Sequence, residues 1–152
     1  MRAVVQRVSN ASVHSGGKSL GSINRGLLVF IGITATDSSE DISYLVRKIC
    51  GLRIFPDNTG KMNFSIADID GDILVVSQFT LYAETRKGNR PSYINAAKPE
   101  IAIPLYEAFV SSLSRKRNKQ IPTGTFGADM QVKLVNDGPV TIIIDSNENS
   151  RS

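Results

Sequence analysis

The residues Gly26-Leu27-Leu28-Val29-Phe30-Ile31-Gly32-Ile33 form a short, continuous apolar run with no charged or hydroxyl-bearing residue inside it. A strand with one wet face alternates apolar and polar residues, so an unbroken run of this length reads as a strand buried on both faces at the centre of a sheet. Upstream, residues 2–13 mix Val4, Val5, Val8 and Val13 with Gln6, Arg7 and Ser9, and the turn formers Ser15-Gly16-Gly17-Lys18 follow. That pattern predicts a strand and a hairpin. Downstream, Asp37 stands three residues before Glu40, a capping-box-like spacing, and Ile42, Leu45, Val46, Ile49 and Leu52 recur at helical intervals in a window ending near Gly51. One amphipathic helix is expected there, with Cys50 a packed thiol beside its apolar stripe.

Two turn signals, Pro56-Asp57-Asn58-Thr59-Gly60 and Asp70-Gly71, precede Ile73-Leu74-Val75-Val76-Ser77-Gln78-Phe79-Thr80-Leu81-Tyr82, which has the composition of another strand. A polar loop, residues 83–95, carries Arg86, Lys87, Arg90 and Pro91. Pro99 suits the first turn of a second helix through Leu105, Tyr106, Phe109, Val110 and Leu113, ending near the basic run Ser114-Arg115-Lys116-Arg117-Asn118-Lys119-Gln120. Between 124 and 145, alternation at Met130, Val132 and Leu134, a break at Asn136-Asp137-Gly138-Pro139 and the run Val140-Thr141-Ile142-Ile143-Ile144 predict two strands about a tight turn. The polar tail, 146–152, is expected to fray. Residues 1–145 then make one domain, a length that one core can serve.

Composition excludes several chemistries. A single cysteine, Cys50, permits no internal disulfide and no cysteine metal cage, and a single histidine, His14, leaves almost nothing for a Ser-His-Asp or Cys-His site. No metal or other cofactor is expected. The apolar runs fall far short of the roughly 20 residues that span a bilayer. The N-terminus meets polar residues before a signal sequence could develop, which predicts an intracellular, cytoplasmic protein with no membrane partner. The net charge of +4 favours a polyanionic partner without establishing one.

Three segments could carry chemistry, and each has an ordinary reading. Asn136-Asp137-Gly138-Pro139 is a hairpin turn by default; alternatively its X-Pro bond is cis and turns neighbouring carbonyls to one side, as a rigid pair of ammonium acceptors. Ser77-Gln78-Phe79-Thr80 is by default the rim of a buried strand, and alternatively a set of hydroxyl, amide and backbone donors for a polar substrate end. With no histidine nearby in sequence, Thr80 lacks an obvious base to make it a nucleophile. The basic run at 114–120 is a solvated helix end or, with Arg86-Lys87-Gly88-Asn89-Arg90, a footprint for a polyanion.

Taken in order, Gln6-Arg7-Val8, Ser77-Gln78-Phe79-Thr80-Leu81, Arg90-Pro91-Ser92-Tyr93, Gly124-Thr125-Phe126-Gly127-Ala128-Asp129-Met130 and Asn136-Asp137-Gly138-Pro139-Val140-Thr141 resemble the D-aminoacyl-tRNA deacylase family over nearly the whole chain. The resemblance implies a mixed α/β fold, a curved, largely antiparallel β-sheet or barrel with two main helices, in a homodimer with active sites at the subunit interface. It implies hydrolysis of the ester at the 3′ end of D-aminoacyl-tRNA and rejection of L-esters. Ser77, Gln78, Phe79 and Thr80 would line the catalytic pocket, with backbone N–H groups near Phe79 and Thr80 facing the ester carbonyl. A cis Gly138-Pro139 from the other subunit would hold the substrate amine, oriented by Arg7 with Asn136 beside it. Phe126 and Met130 would border the terminal adenosine, whose 2′-hydroxyl would take part in hydrolysis. Glycine has no side chain to exclude, so glycyl-tRNA, including glycine mischarged on alanine tRNA, is an expected second substrate. The rivals are a non-catalytic nucleic-acid-binding module, an editing partner of threonyl-tRNA synthetases acting on L-seryl-tRNA, and an animal-type relative with a trans Gly-Pro bond.

Overall fold

The apolar runs fold as strands and the helical repeats as helices in the computed structural model, which describes residues 1–147. In chain order these are β1 (Arg2–Ser15), β2 (Lys18–Ile23), β3 (Gly26–Gly32), α1 (Ser39–Gly51), β4 (Phe55–Pro56), β5 (Met62–Phe64), β6 (Asp72–Ser77), a 3₁₀ turn at Phe79–Tyr82, α2 (Pro99–Arg117) and β7 (Gln131–Asp145). The main sheet runs β2-β1-β3-β6, with β7 on β1, and β4 and β5 form a separate small ribbon. All main-sheet pairs are antiparallel except β3 with β6. As its unbroken apolar run predicts, β3 is interior and nearly all buried.

Alternate residues of β3 and β6 feed two cores. Leu27, Val29, Ile31, Ile73 and Val75 face Leu45 and Ile49 of α1 and Tyr106, Phe109 and Leu113 of α2. Leu28, Leu74 and Val76 meet Val8, Val13 and Ile23 in a second cluster inside the curl of the sheet. The curl brings β2 against β6, through residues 122–124, which bridge to Val75 and lie against Gly21. Among the described residues no helix is long and apolar enough to cross a membrane.

The structure corrects four details. The cap of α1 is Ser38, whose side chain accepts from the Glu40 N–H while Asp41 reaches back to the Ser38 N–H. Asp37 is instead buried against the Met1 amine at 2.5 Å. The strand expected to run from Ile73 to Tyr82, β6, ends at Ser77, because β3 offers its last partner there: Ile31 pairs with Ser77 and its carbonyl accepts from the Gln78 N–H at 2.8 Å. Beyond it the backbone closes on itself as the 3₁₀ turn, with Leu81 N–H donating to the Gln78 carbonyl. No hairpin forms at 136–139. β7 is one strand against β1 throughout, and residues 137–140 bulge opposite the single residue Arg7, between the pairs Val8↔Asn136 and Gln6↔Thr141. Of the polar tail, Ser146 is buried and accepts from the Met1 amine at 2.7 Å, while 148–152 lie outside the described residues.

At the start of the parallel β3–β6 contact, a methyl group on Gly26 would sit 1.9 Å from the Asp72 carbonyl oxygen. Backbone cannot yield cheaply there. Gly26→Ala is expected to cost roughly 1–3 kcal/mol, as overpacking does, read as a lower urea midpoint at unchanged slope; an unchanged midpoint would mean that the strands part without loss.

Candidate active site

Ligands in sheets with parallel strands settle at the carboxyl ends of those strands, and β3 and β6 end together at Ile31 and Ser77. A cavity of about 50 Å³ opens there, lined by Ile31, Ile33, Ser77, Gln78, Phe79, Ala97, Ala102, Phe126 and Gly127. Each wall has a local cause. Gly32 lets the 3₁₀ turn lie on the strand, since a methyl group there would stand 3.0 Å from Leu81 Cβ and 3.1 Å from the Gln78 carbonyl oxygen. Arg2 anchors the far end of that turn, donating to the Leu81 carbonyl at 2.8 Å while it pairs with Asp145. The Ala97 N–H donates to the Ile33 carbonyl at 2.8 Å and brings the start of α2 over the cavity. Gly124 N–H donates to the Val75 carbonyl at 3.2 Å, and the turn that follows, with Gly127 at φ +74°, presents Phe126.

The polar atoms at the mouth come from the 3₁₀ turn. Gln78 Nε2 donates to Thr80 Oγ1 at 2.5 Å. The N–H groups of Phe79 and Thr80 begin the turn, where no intrahelical acceptor precedes them. Phe79 is 56% exposed and meets the Tyr93 ring edge-on at 5.0 Å between centroids. Phe126 packs edge-on against Tyr106 at 5.7 Å.

A second group of polar residues sits on the bulge of β7. Gly138-Pro139 is cis, Gly138 has φ +126°, and both residues are exposed. Arg7, only 9% exposed, is held beneath them. Its Nε donates to the Asp137 carbonyl at 3.0 Å and its Nη1 to the Ile54 carbonyl at 2.5 Å. Asn136 Nδ2 donates to the carbonyls of Arg7 and Val140, which closes the bulge.

The two groups are not brought together within one chain. Arg7 pairs with Leu27, which pairs with Ile73, four positions along the ladder from Ser77, or roughly 13 Å at strand rise. Ser77, Gln78, Phe79 and Phe126 line the cavity and Thr80 sits on its rim. Met130 does not line the cavity; it is partly buried against the inner core and close to Gly124. Sequence reading missed Ile31, Ile33, Ala97, Ala102 and Gly127, because an apolar wall has no signature apart from core, and it missed Tyr93 as the partner of Phe79. Cys50 stays out of the site; burial pushes its thiol up, away from reactive thiolate character.

The family model described as D-Tyr-tRNA(Tyr) deacylase matches residues 4–145. The D-aminoacyl-tRNA deacylase of Cytophaga hutchinsonii is 60% identical over 146 residues, covering 96% of this chain and 97% of that protein. A solved structure of a c-Myc DNA Unwinding Element Binding Protein superposes with a TM-score of 0.90 at 44% identity, over 95% of this chain and 98% of the other. A structure described as that of a probable eukaryotic D-amino acid tRNA deacylase superposes with a TM-score of 0.84 at 17% identity, over 94% of this chain and 97% of the other, which speaks for the fold alone.

Replacing Arg7 by Met keeps the packed stem and removes the donors to Asp137 and Ile54. The expected loss is roughly 1.5–3 kcal/mol, the range for hydrogen bonds from a charged donor, seen as a lower denaturation midpoint. Retention of the full midpoint would show the guanidinium to be dispensable to the bulge.

Proposed function

The chain belongs to the D-Tyr-tRNA(Tyr) deacylase family, and from that premise we propose that it acts as a homodimer on the 3′ end of D-aminoacyl-tRNA in the cytoplasm, hydrolysing the ester and rejecting L-esters. The observation that carries this reading is the pair of half-sites: a cavity with donors at its mouth, and, roughly 13 Å along the ladder, an exposed cis Gly138-Pro139 braced by Arg7 and Asn136. Neither completes a site alone. A second copy would supply to each cavity the Gly-Pro corner of its partner.

The sheet supports such a copy. Ile143, Val4, Phe30 and Val76 stand side by side across β7, β1, β3 and β6. Ile143 is 68% exposed, Val4 and Phe30 are only half-buried, and Val76 at the end of the row is buried in the inner core. An apolar row of this kind suits a symmetric contact, and it ends beside Ser77.

In the assembled site the carbonyls at Gly138 and Pro139 accept from the substrate ammonium, and the wall they form collides with an L side chain. A D side chain points away, so its identity matters little. Glycine passes, which makes glycyl-tRNA, including glycine on alanine tRNA, a second substrate. The N–H groups of Phe79 and Thr80 donate to the ester carbonyl oxygen as charge develops on it. Water adds to the carbonyl carbon, the ester C–O bond breaks, and the 3′ oxygen leaves with a proton relayed by the neighbouring 2′-hydroxyl. Phe126 and Met130 border the adenosine.

Among the described residues the hydrogen-bond partner of the Thr80 hydroxyl is the Gln78 amide, which donates to it, and not a base. Thr80→Ala is therefore expected to keep D-tyrosyl-tRNA turnover within about ten-fold, whereas a substrate ending in 2′-deoxyadenosine should lose more than the roughly 100-fold typical of a lost proton relay. Complete loss in a folded Thr80→Ala would revive a protein nucleophile. The reading itself is tested by incubating the protein with D-tyrosyl-, L-tyrosyl- and glycyl-tRNA. Loss of the first and third alone is expected, and survival of all three esters would leave a non-catalytic binder.

A further inference from the structure

The cavity of about 50 Å³ holds little more than the volume of one or two waters, so the nucleotides that precede the terminal adenosine must cross its rim. Two concavities offer a path. Past Phe126 lies a wide groove of about 640 Å³ along α2. Its charged lining is one Arg115 against one Glu107, and of its two aromatic rings Tyr106 is buried and Phe126 is half-buried and packed edge-on against it.

Past Phe79 the rim is different. Phe79 and Tyr93 stand edge to face, 56% and 41% exposed, and Ile94 beside them is 86% exposed. The chain between these rings rises as a small hairpin closed by the mutual backbone bonds of Glu84 and Ser92, 2.8 and 3.0 Å. A concavity of about 580 Å³ is lined by Glu84, Arg86, Lys87 and Ser92. Arg86 holds Glu84 bidentately at 2.8 and 3.0 Å, which keeps that carboxylate ionised with its pKa lowered to about 2. The acid of the hairpin is thus already paired, and Lys87 and Arg90 remain exposed as surplus cations.

Exposed rings beside surplus cations are what single-stranded nucleic acid uses: bases stack on the rings and phosphates are neutralised by the cations. We propose that Phe79, Tyr93 and the 84–92 hairpin form a landing surface for the unpaired nucleotides next to the terminal adenosine, with Tyr93 stacking a base and Lys87 and Arg90 meeting the backbone. The proposal rests on the deacylase reading. It adds a specificity-determining surface outside the pocket, one that favours a whole tRNA over a short ester.

The test compares D-tyrosyl-tRNA with D-tyrosyl-adenosine, the same ester without preceding nucleotides. Tyr93→Ala is expected to raise KM for the tRNA roughly ten-fold, the low end for loss of one base–aromatic stack, with kcat held and the adenosine ester affected less than about two-fold. Tyr93→Phe should restore it. The double variant Lys87→Ala with Arg90→Ala, in an exposed loop, should lower the slope of log affinity against log salt by roughly 1.4, two single-strand phosphates' worth. Equal losses on both substrates would make Tyr93 a mere pocket wall. A change in sedimentation with KM unmoved would assign the rings to the subunit contact. Equal wild-type efficiency on the two substrates, or an unchanged salt slope, would remove the surface altogether. Failure of the wild type on both esters would strike the deacylase reading instead, and is thereby distinguishable.

Discussion

A strand has two hydrogen-bonding edges, so a strand with three partners must exchange one of them along its length. Here that strand is β1. One edge carries β7 from Arg2 to His14, while the other carries β3 as far as Val8 and then β2 from Ala11. The exchange falls where the β1–β7 register is irregular, around Arg7 to Asn10. Irregular pairing bends and twists a strand, and the bend turns β2 back toward β6, closing the sheet around Val8, Val13, Leu28 and Leu74. The inner core and the Gly138-Pro139 bulge thus share one origin, the change of partners in β1.

That origin explains why a buried arginine is tolerated. Where four residues of β7 oppose one of β1, the carbonyls of the bulge lose their ladder partners. A charged donor with a planar fork can satisfy several such acceptors at once, and Arg7 serves Asp137 from the bulge and Ile54 from the chain after α1. The Asp137 carboxylate lies 3.4 Å from the same guanidinium, so the buried charge is paired as well as bonded. A methyl group on Gly138 would stand 2.7 Å from the guanidinium. Glycine is therefore required twice, by its positive φ and by the close approach of Arg7.

Periodicity made the individual elements legible, while their arrangement as a curved, largely antiparallel sheet with two helices was what the family resemblance implied. The two-faced burial of β3, the hairpin at Gly16-Gly17 and the helices ending near Gly51 and Arg117 follow from apolar spacing and local turn chemistry. What was not legible depended on distant partners. The 3₁₀ turn at Phe79–Tyr82 carries strand-forming residues, and only the end of β3 at Gly32 deprives them of a ladder. Asn136-Asp137-Gly138-Pro139 has the composition of a hairpin turn, yet both flanks pair with β1 and the segment becomes a bulge. Ser38 and Asp37 are equally good caps by type, and the Met1 amine draws Asp37 away. For the candidate site, the polar residues and the Gly-Pro corner stood out in sequence, while the apolar walls at Ile31, Ile33, Ala97 and Ala102 were indistinguishable from core.

The scarcity of titratable groups around the cavity shapes the proposed chemistry. Aminoacyl esters are activated substrates, so a catalyst gains more from positioning than from a strong nucleophile. Holding reactants in a near-attack geometry can supply roughly 7–11 kcal/mol, and one well-placed oxyanion donor about 2.7–4 kcal/mol. In the proposed reading, backbone N–H groups on a braced turn, and carbonyls on a braced bulge, would supply both without any group whose protonation must be tuned. They also respond little to which side chain the substrate carries, since neither half-site offers a pocket shaped to one. In the proposed site, fixed backbone dipoles would read configuration at the α-carbon and leave side-chain identity unread, which is the selectivity that clearing many different D-amino acids from tRNA would require.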